Sequence, residues 1–214
     1  MALFYIGALQ EISKSYILEK NSNRDVPPFE ENAKSYIERL NQELDKKHDK
    51  FDIFLSHSSL DAIVVLGLLL DLTSMGYKVY VDWIYDKLLD RSNVTAATAE
   101  QLRKRMLQSD SLFYATTEHA PGSKWMPWEL GYKDGDNNLV AILPVTAEKN
   151  TNNQYKGQEY LGLYPYAVKN EDKQLYICKD QTSCTKYKDW TIKNQKAMPS
   201  PYPSHFLPRF GMMQ

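Results

Sequence analysis

Cysteine is scarce in this chain, and long apolar runs are missing. The 214 residues include two cysteines, Cys178 and Cys184, with five residues between them and no histidine beside either. That lacks the paired spacing of a zinc site and is too little for a disulfide scaffold, so they read as two reduced thiols. The longest apolar run, Ile63 to Leu70, falls far short of the roughly 20 residues a spanning helix needs. Met-Ala-Leu-Phe-Tyr at the start has no basic segment before an apolar stretch, and Glu11 and Lys14 arrive too early for a signal peptide. A cytoplasmic protein with no membrane contact is expected. No Gly-x-Gly-x-x-Gly, Walker A or Gly-x-Ser-x-Gly pattern occurs, which demotes dinucleotide dehydrogenases, P-loop NTPases and α/β-hydrolases.

An excess of either charge is also missing. Lys and Arg number 26 against 27 Asp and Glu, a formal net charge of −1, which gives no electrostatic reason to expect nucleic acid or an anionic membrane as partner. The balance is local, however. Residues 1–50 carry 8 basic and 9 acidic side chains, 51–145 carry 8 and 12, and 146–214 carry 10 and 6, so the middle is mildly acidic and the tail mildly basic.

What is present divides the chain into three parts. Residues 1–50 read as a helical extension of two stretches with a break at Asn21 to Pro28. In the second stretch Phe29, Ala33, Tyr36, Ile37, Leu40 and Leu44 recur at helical spacing, opposite a charged face. Over residues 51–145, β-type and helical runs alternate. Strands are expected at Phe51 to Ser56, Tyr77 to Trp83, Ser111 to Thr116 and Leu139 to Val145. Helices are expected at Leu60 to Met75, ended by Gly76, at Thr98 to Gln108 and at Lys124 to Lys133, with a loop from Ile84 to Ala97. This alternation implies an α/β fold with a mostly parallel sheet and helices on both faces. The helix from Leu60 is apolar nearly all round, so something must cover its outer face. The amphipathic stretch Phe29 to Leu44 is the first candidate, a partner subunit the second. Beyond residue 146 the pattern weakens: Tyr160 to Tyr166 and Gln174 to Cys178 could be strands or edge pieces, and the proline-rich last twenty residues read as an irregular wrap.

In an open parallel sheet, ligands bind beyond the carboxyl ends of the strands. There the sequence places Ser56-His57-Ser58-Ser59-Leu60-Asp61, then Asp82-Trp83, then Thr116-Thr117-Glu118-His119. Hydroxyls and a histidine at a strand-to-helix turn suit a phosphate or ribose. Equally, Ser59 could merely cap the following helix. A second feature is Ser123-Lys-Trp-Met-Pro-Trp-Glu-Leu, in which Trp125 and Glu129 fall one helical turn apart on one face. Pro127 is tolerated only near a helix start, which sets that start at Lys124 or Trp125. A carboxylate beside an indole is a suitable floor for a flat cationic ring or a sugar, although Trp-rich helix starts also serve core packing.

Together the residues Phe51 to Asp61, Gly76 to Asp82, Ser123 to Leu130 and Ile142 to Val145 resemble, in order and spacing, the TIR (Toll/interleukin-1 receptor) domain family, and its soluble bacterial members above all. The resemblance spans about residues 51–145. It implies a flavodoxin-like core and, in enzymatic members, cleavage of the N-glycosidic bond of NAD+ as substrate, with no cofactor or metal. By motif Glu129 matches the family's catalytic glutamate and Trp125 the aromatic residue one turn before it. Ser56, His57, Ser58 and Ser59 would then line the ribose or diphosphate side, and Asp82 and Trp83 would border the entrance. The resemblance further implies self-association through TIR surfaces and a bacterial anti-phage role in which a nucleotide product reaches a separately encoded effector. The chain departs from many bacterial members in the long loop 84–97, which lacks their short Gly-Asp-Ser, and in the segments at both ends.

One carboxylate can suffice for this chemistry. Ordinary glycosidases need an acid to protonate the leaving oxygen. Nicotinamide already carries positive charge and departs neutral, so no general acid is required. Water would yield ADP-ribose, and an adenine nitrogen or ribose hydroxyl of the same molecule would yield a cyclic isomer. The competing functions are a catalytically silent TIR module acting by homotypic assembly, and a related nucleoside or nucleotide N-glycoside transferase. A response-regulator receiver would need an acidic pair after the first strand, where this chain has Ser-His-Ser. The acidic core is an odd mouth for an anionic dinucleotide, and the basic tail 197–214 is a candidate source of cations.

Overall fold

The computed structural model describes residues 1–21, 29–45, 50–81, 96–149, 154–157 and 159–197. A short strand β1 (Phe4–Tyr5) leads into helices α1 (Ile6–Lys20) and α2 (Phe29–Asp45), then β2 (Phe51–Ser56), α3 (Ala62–Ser74) and β3 (Val79–Val81). Next come α4 (Ala96–Leu107), β4 (Ser109–Thr116), α5 (Trp125–Asn137) and β5 (Val140–Thr146). The described chain ends with β6 (Tyr166–Lys169), β7 (Leu175–Cys178), β8 (Cys184–Lys186) and α6 (Tyr187–Ala197). Short 3₁₀ turns occupy Ala120–Gly122 and Glu159–Leu163.

The strands form one sheet in the order β3-β2-β4-β5-β6-β7-β8, with β1 beside the end of β5. Pairing is parallel from β3 through β6 and antiparallel from β6 to β8. This is the expected α/β fold. Side chains alternate across the sheet as its period of two demands. Ile53, Leu55, Phe113 and Ala141 face α1, α2, α3 and α6. Phe54, Leu112, Tyr114 and Ile142 face α4 and α5.

The apolar helix α3 is covered by α2, as expected, and also by α1. A Cβ built on Gly67 of α3 would lie 2.3 Å from the Leu9 carbonyl oxygen of α1, so only glycine admits this crossing. Ser13 of α1 donates from Oγ to the Ile63 carbonyl at 2.6 Å, which satisfies a hydroxyl that the contact buries completely. From α2, buried Asn41 donates to the Val81 carbonyl at 2.5 Å and accepts from the Val81 N–H at 3.4 Å. Among the described residues β3 is the edge strand, and Asn41 pairs with its last residue as a neighbouring backbone would.

Several expectations change. Regular structure continues well past residue 146: β6, β7, β8 and α6 extend the sheet, because Tyr166, Ala167, Val168, Leu175 and Ile177 bury their side chains on its two faces. Tyr160 falls in a 3₁₀ turn rather than a strand. Cys178 and Cys184 are not two thiols but a disulfide. Asp180 accepts from the N–H groups of Thr182 and Ser183, both at 2.8 Å, and so reverses the chain. The reversal sets the cysteines directly opposite each other on β7 and β8 with Cα atoms 4.0 Å apart. The break at 22–28, the loop 82–95 and the tail 198–214 lie outside the described residues. No helix among the described residues is long and apolar enough to cross a membrane.

Candidate active site

Strand β2 ends at Ser56, and the chain turns sharply at the carboxyl edge of the sheet. Ser56, His57 and Ser58 are all buried there. The His57 ring donates from Nδ1 to the Leu55 carbonyl at 3.0 Å, which selects its tautomer. Ser58 closes the turn: its Oγ accepts from the Leu60 N–H at 3.3 Å and its carbonyl from the Asp61 N–H at 3.2 Å. Ser59 does not cap the next helix. Asp61 occupies the position before α3, and its carboxylate reaches across the sheet instead of capping. It accepts from Thr117 Oγ1 at 2.5 Å and from His119 Nδ1 at 2.6 Å. The hydrogen bond to Asp61, and then its charge, holds the His119 imidazolium above the ordinary histidine range. The turns after β2 and β4 are thus joined into one surface.

Helix α5 begins at Trp125, which leaves Pro127 in the first turn, where its missing N–H costs nothing. Ser123 Oγ accepts the Met126 N–H at 3.4 Å. One turn in, Glu129 points back under the sheet edge and is 1% exposed. Ser56 Oγ donates to its Oε2 at 2.5 Å. The bond unites the two sequence features: the serine at the end of β2 holds the carboxylate from α5. Trp125 is half-buried, with its ring edge-on to Trp128 at 5.4 Å between centroids. Trp128 in turn stacks on Tyr132 and carries the Arg103 guanidinium 5.4 Å from its ring centre.

A cavity of about 500 Å³ opens at the carboxyl end of β4, one strand over from Ser56; Glu129, Ser56 and Trp125 are not among its lining residues. Its floor comes from Tyr114 and Thr116 of β4 and from Thr117, and Pro127 of α5 adds an edge. The opposite wall is formed by Tyr155, Lys156, Glu159, Tyr160 and Leu161. Tyr114 is the register neighbour of Ser56. Burial foremost, then a shared hydrogen bond with Tyr160 and the nearby charge of Glu129, push the Tyr114 hydroxyl far above the usual phenol range. The wall is anchored to the Glu129 helix as well, since Tyr164 donates to Asp134 at 3.0 Å. Burial and that bond push the Tyr164 hydroxyl up to about 12.

The structure brings Ser56 and Glu129 into contact, with His57 and Ser58 in the adjoining turn and Trp125 one turn before Glu129, and none of the five lines the cavity. Ser59, half-buried, has no place in the cavity lining. Asp82 and Trp83, and the basic tail, lie outside the described residues. Sequence reasoning missed Tyr114 and the wall 155–161; the crowding of Tyr155, Tyr160, Tyr164 and Tyr166 was the available signal. Among the described residues no group of three or more His, Cys, Asp or Glu side chains is arranged to hold a metal. A single buried carboxylate, locked by a serine beside a polar and aromatic cavity, can bind sugar hydroxyls and stabilise positive charge developing on a ribosyl carbon.

No protein-family model matches the chain. Two relatives do. It is 43% identical over 193 residues to the "Probable 3' cyclic ADP-D-ribose synthase ThsB'" of Bacillus cereus (strain MSX-D12), covering 88% of this chain and 94% of that protein. It is 31% identical over 83 residues to the "Putative cyclic ADP-D-ribose synthase TIR2" of Cytobacillus dafuensis, covering 38% of this chain and 22% of that protein. With the parallel sheet, the Ser56–Glu129 bond and a similarity that runs almost the full length of the Bacillus cereus protein, the chain belongs to the TIR-domain family of cyclic ADP-ribose synthases.

Proposed function

We propose that this chain cleaves the bond between nicotinamide and ribose in NAD+, releases nicotinamide, and closes the remainder into a cyclic ADP-ribose, as the names of its relatives state for them. The observation that carries the reading is the buried Glu129 carboxylate held by Ser56 at the carboxyl edge of a parallel sheet, one strand from the cavity that Tyr114 lines. The carboxylate engages the ribose hydroxyls and stabilises the oxocarbenium character at C1′ as neutral nicotinamide leaves. Trp125 shapes the aromatic side of the helix start from which Glu129 projects. His57 and Ser58 hold the turn that positions Ser56. No cofactor or metal takes part, and NAD+ is substrate only.

The same reading has the enzyme acting in the cytoplasm, gaining activity by self-association, and making a signal for a separately encoded effector in anti-phage defence. The direct test incubates concentrated protein with NAD+ and resolves nicotinamide, ADP-ribose and cyclic products by chromatography, with Glu129→Ala alongside. Nicotinamide release should fall by about 100-fold or more in the variant, the scale of losing a transition-state charge contact. Release by neither protein under any assembly condition would leave a TIR module that works by assembly alone. Equal turnover by both would keep the activity and move the site away from Glu129.

A further inference from the structure

The cavity wall of Tyr155, Lys156, Glu159, Tyr160 and Leu161 belongs to neither of the site features legible in the motif, and it has the makings of a nucleotide surface. Tyr155 and Tyr160 present two aromatic rings and Lys156 a cation, beside a cavity within the 300–1,000 Å³ range of small-molecule sites. Stacking surfaces with one cation are the common recipe for a base and its phosphates. The wall is fixed in place. Tyr160 shares the cavity lining with Tyr114 of β4, Tyr164 donates to Asp134 on α5, and the Tyr155 ring packs on Tyr166 of β6 at 5.6 Å between centroids. The backbone itself is pinched: a Cβ on Gly157 would meet the Gly162 nitrogen at 2.5 Å.

We propose that this wall receives the adenosine diphosphate half of the dinucleotide, with the Tyr155 and Tyr160 rings as the base platform and Lys156 as the phosphate contact, and that it thereby decides the fate of the ribosyl carbon. The inference rests on the NAD-cleaving reading above. The C1′–N bond breaks with its electron pair on the pyridinium nitrogen, so nicotinamide leaves uncharged. The vacant C1′ then accepts a lone pair from a nucleophile of the same molecule or from water, and the nucleophile's proton passes to the Glu129 carboxylate or to solvent. No oxidant or reductant is involved. When the folded-back adenosine half fills the cavity, it excludes water and presents its own nucleophile at high effective concentration. When that half is loosely held, water enters and the product is linear ADP-ribose.

The test compares wild type, Tyr160→Ala, Tyr160→Phe and Lys156→Ala on two readouts: the ratio of cyclic to linear product at matched nicotinamide release, and ADP-ribose binding by calorimetry. Tyr160→Ala should shift the ratio toward linear ADP-ribose and weaken ADP-ribose binding about fivefold or more, the low end of base–aromatic stacking. Tyr160→Phe keeps the ring and loses only the hydroxyl, so it should retain the wild-type ratio. Lys156→Ala should raise the KM for NAD+ about threefold, in keeping with an exposed charge. Tyr160 and Lys156 are both exposed; if Tyr160→Ala fails to fold, the KM of Lys156→Ala and the ratio from Tyr160→Phe decide. Unchanged ratio, affinity and KM in an enzyme that still releases nicotinamide would overturn this inference alone. A Phe variant that behaves like the Ala variant would reduce Tyr160 to a structural hydrogen bond and overturn the platform. Absence of nicotinamide release by wild type would instead overturn the underlying reading.

Discussion

Ser56 shows how much one hydroxyl can decide. At the end of β2 it is buried, and its hydroxyl donates to Glu129, the carboxylate proposed to carry the chemistry. Ser56→Ala should remove one hydrogen bond from the Glu129 carboxylate and lower kcat about tenfold with little change in KM, a loss equal to one ordinary hydrogen bond; steady-state nicotinamide release measures it. His119 makes a different prediction. Its folded pKa is raised above the ordinary 6.5 by Asp61, so the pair stabilises fully at pH below the unfolded value and loses that share as pH rises through the folded value. The difference in melting temperature between wild type and His119→Gln should therefore shrink as the pH rises above the ordinary histidine value of 6.5. A constant difference would remove the charged pair from the stability balance. At this scale Glu129 and Trp125 were legible because a helix repeats every turn, and the turn Ser56 to Asp61 because strand ends are where ligands bind. Tyr114 and the Asp61–His119 bond were not legible, since residues 58 positions apart meet only through the order of the strands.

Among the elements, α3 carries the clearest lesson. Its composition announced that it would be buried on all sides, and the amphipathic stretch Phe29 to Leu44 was a fair candidate for its cover. The second cover, α1, could not be read from periodicity, because it buries only a narrow stripe of Leu9, Ser13 and Ile17. What admits α1 is Gly67, at the point where the two backbones cross. Gly67→Ala should force the helices apart and destabilise the fold by about 2–3 kcal/mol, the usual range for overpacking. Urea unfolding followed by circular dichroism measures the change, and a neutral result would show that the crossing can relax. The edge strand β3 has only three residues. Asn41 completes its hydrogen bonding, and that pairing between residues 40 positions apart is again invisible in a linear reading.

For the molecule as a whole, the main surprise is the extent of the sheet. Residues 166–186 add three strands, and the hairpin of β7 and β8 is closed by the Cys178–Cys184 disulfide. A bridge across so short a loop contributes about 2 kcal/mol on the chain-entropy account. Reduction, or Cys178→Ser with Cys184→Ser, should lower the melting temperature by roughly 4–8 °C for a chain of this size, with nicotinamide release retained at 25 °C. Loss of activity in step with reduction would tie the far edge of the sheet to the site. Two cysteines looked like idle thiols because sequence spacing does not reveal a reversal; the Asp180 turn makes them neighbours.

By itself the sequence determined the layers: periods of two and of 3.6 residues assign strands and helices, and the alternation of the two dictates a parallel sheet with ligand chemistry at its carboxyl edge. It also put Trp125 and Glu129 on one face of a helix, because a helical turn is a local geometry, while the choice of Glu129 as catalytic group came from the resemblance to the TIR family. Only the tertiary structure decided which hydroxyl holds that carboxylate, which backbone lies against Gly67, which cysteines meet, and that a tyrosine wall from beyond β5 faces the site. Each of those is a contact between segments far apart in the chain, set by the order in which strands join the sheet, and local periodicity carries no record of that order.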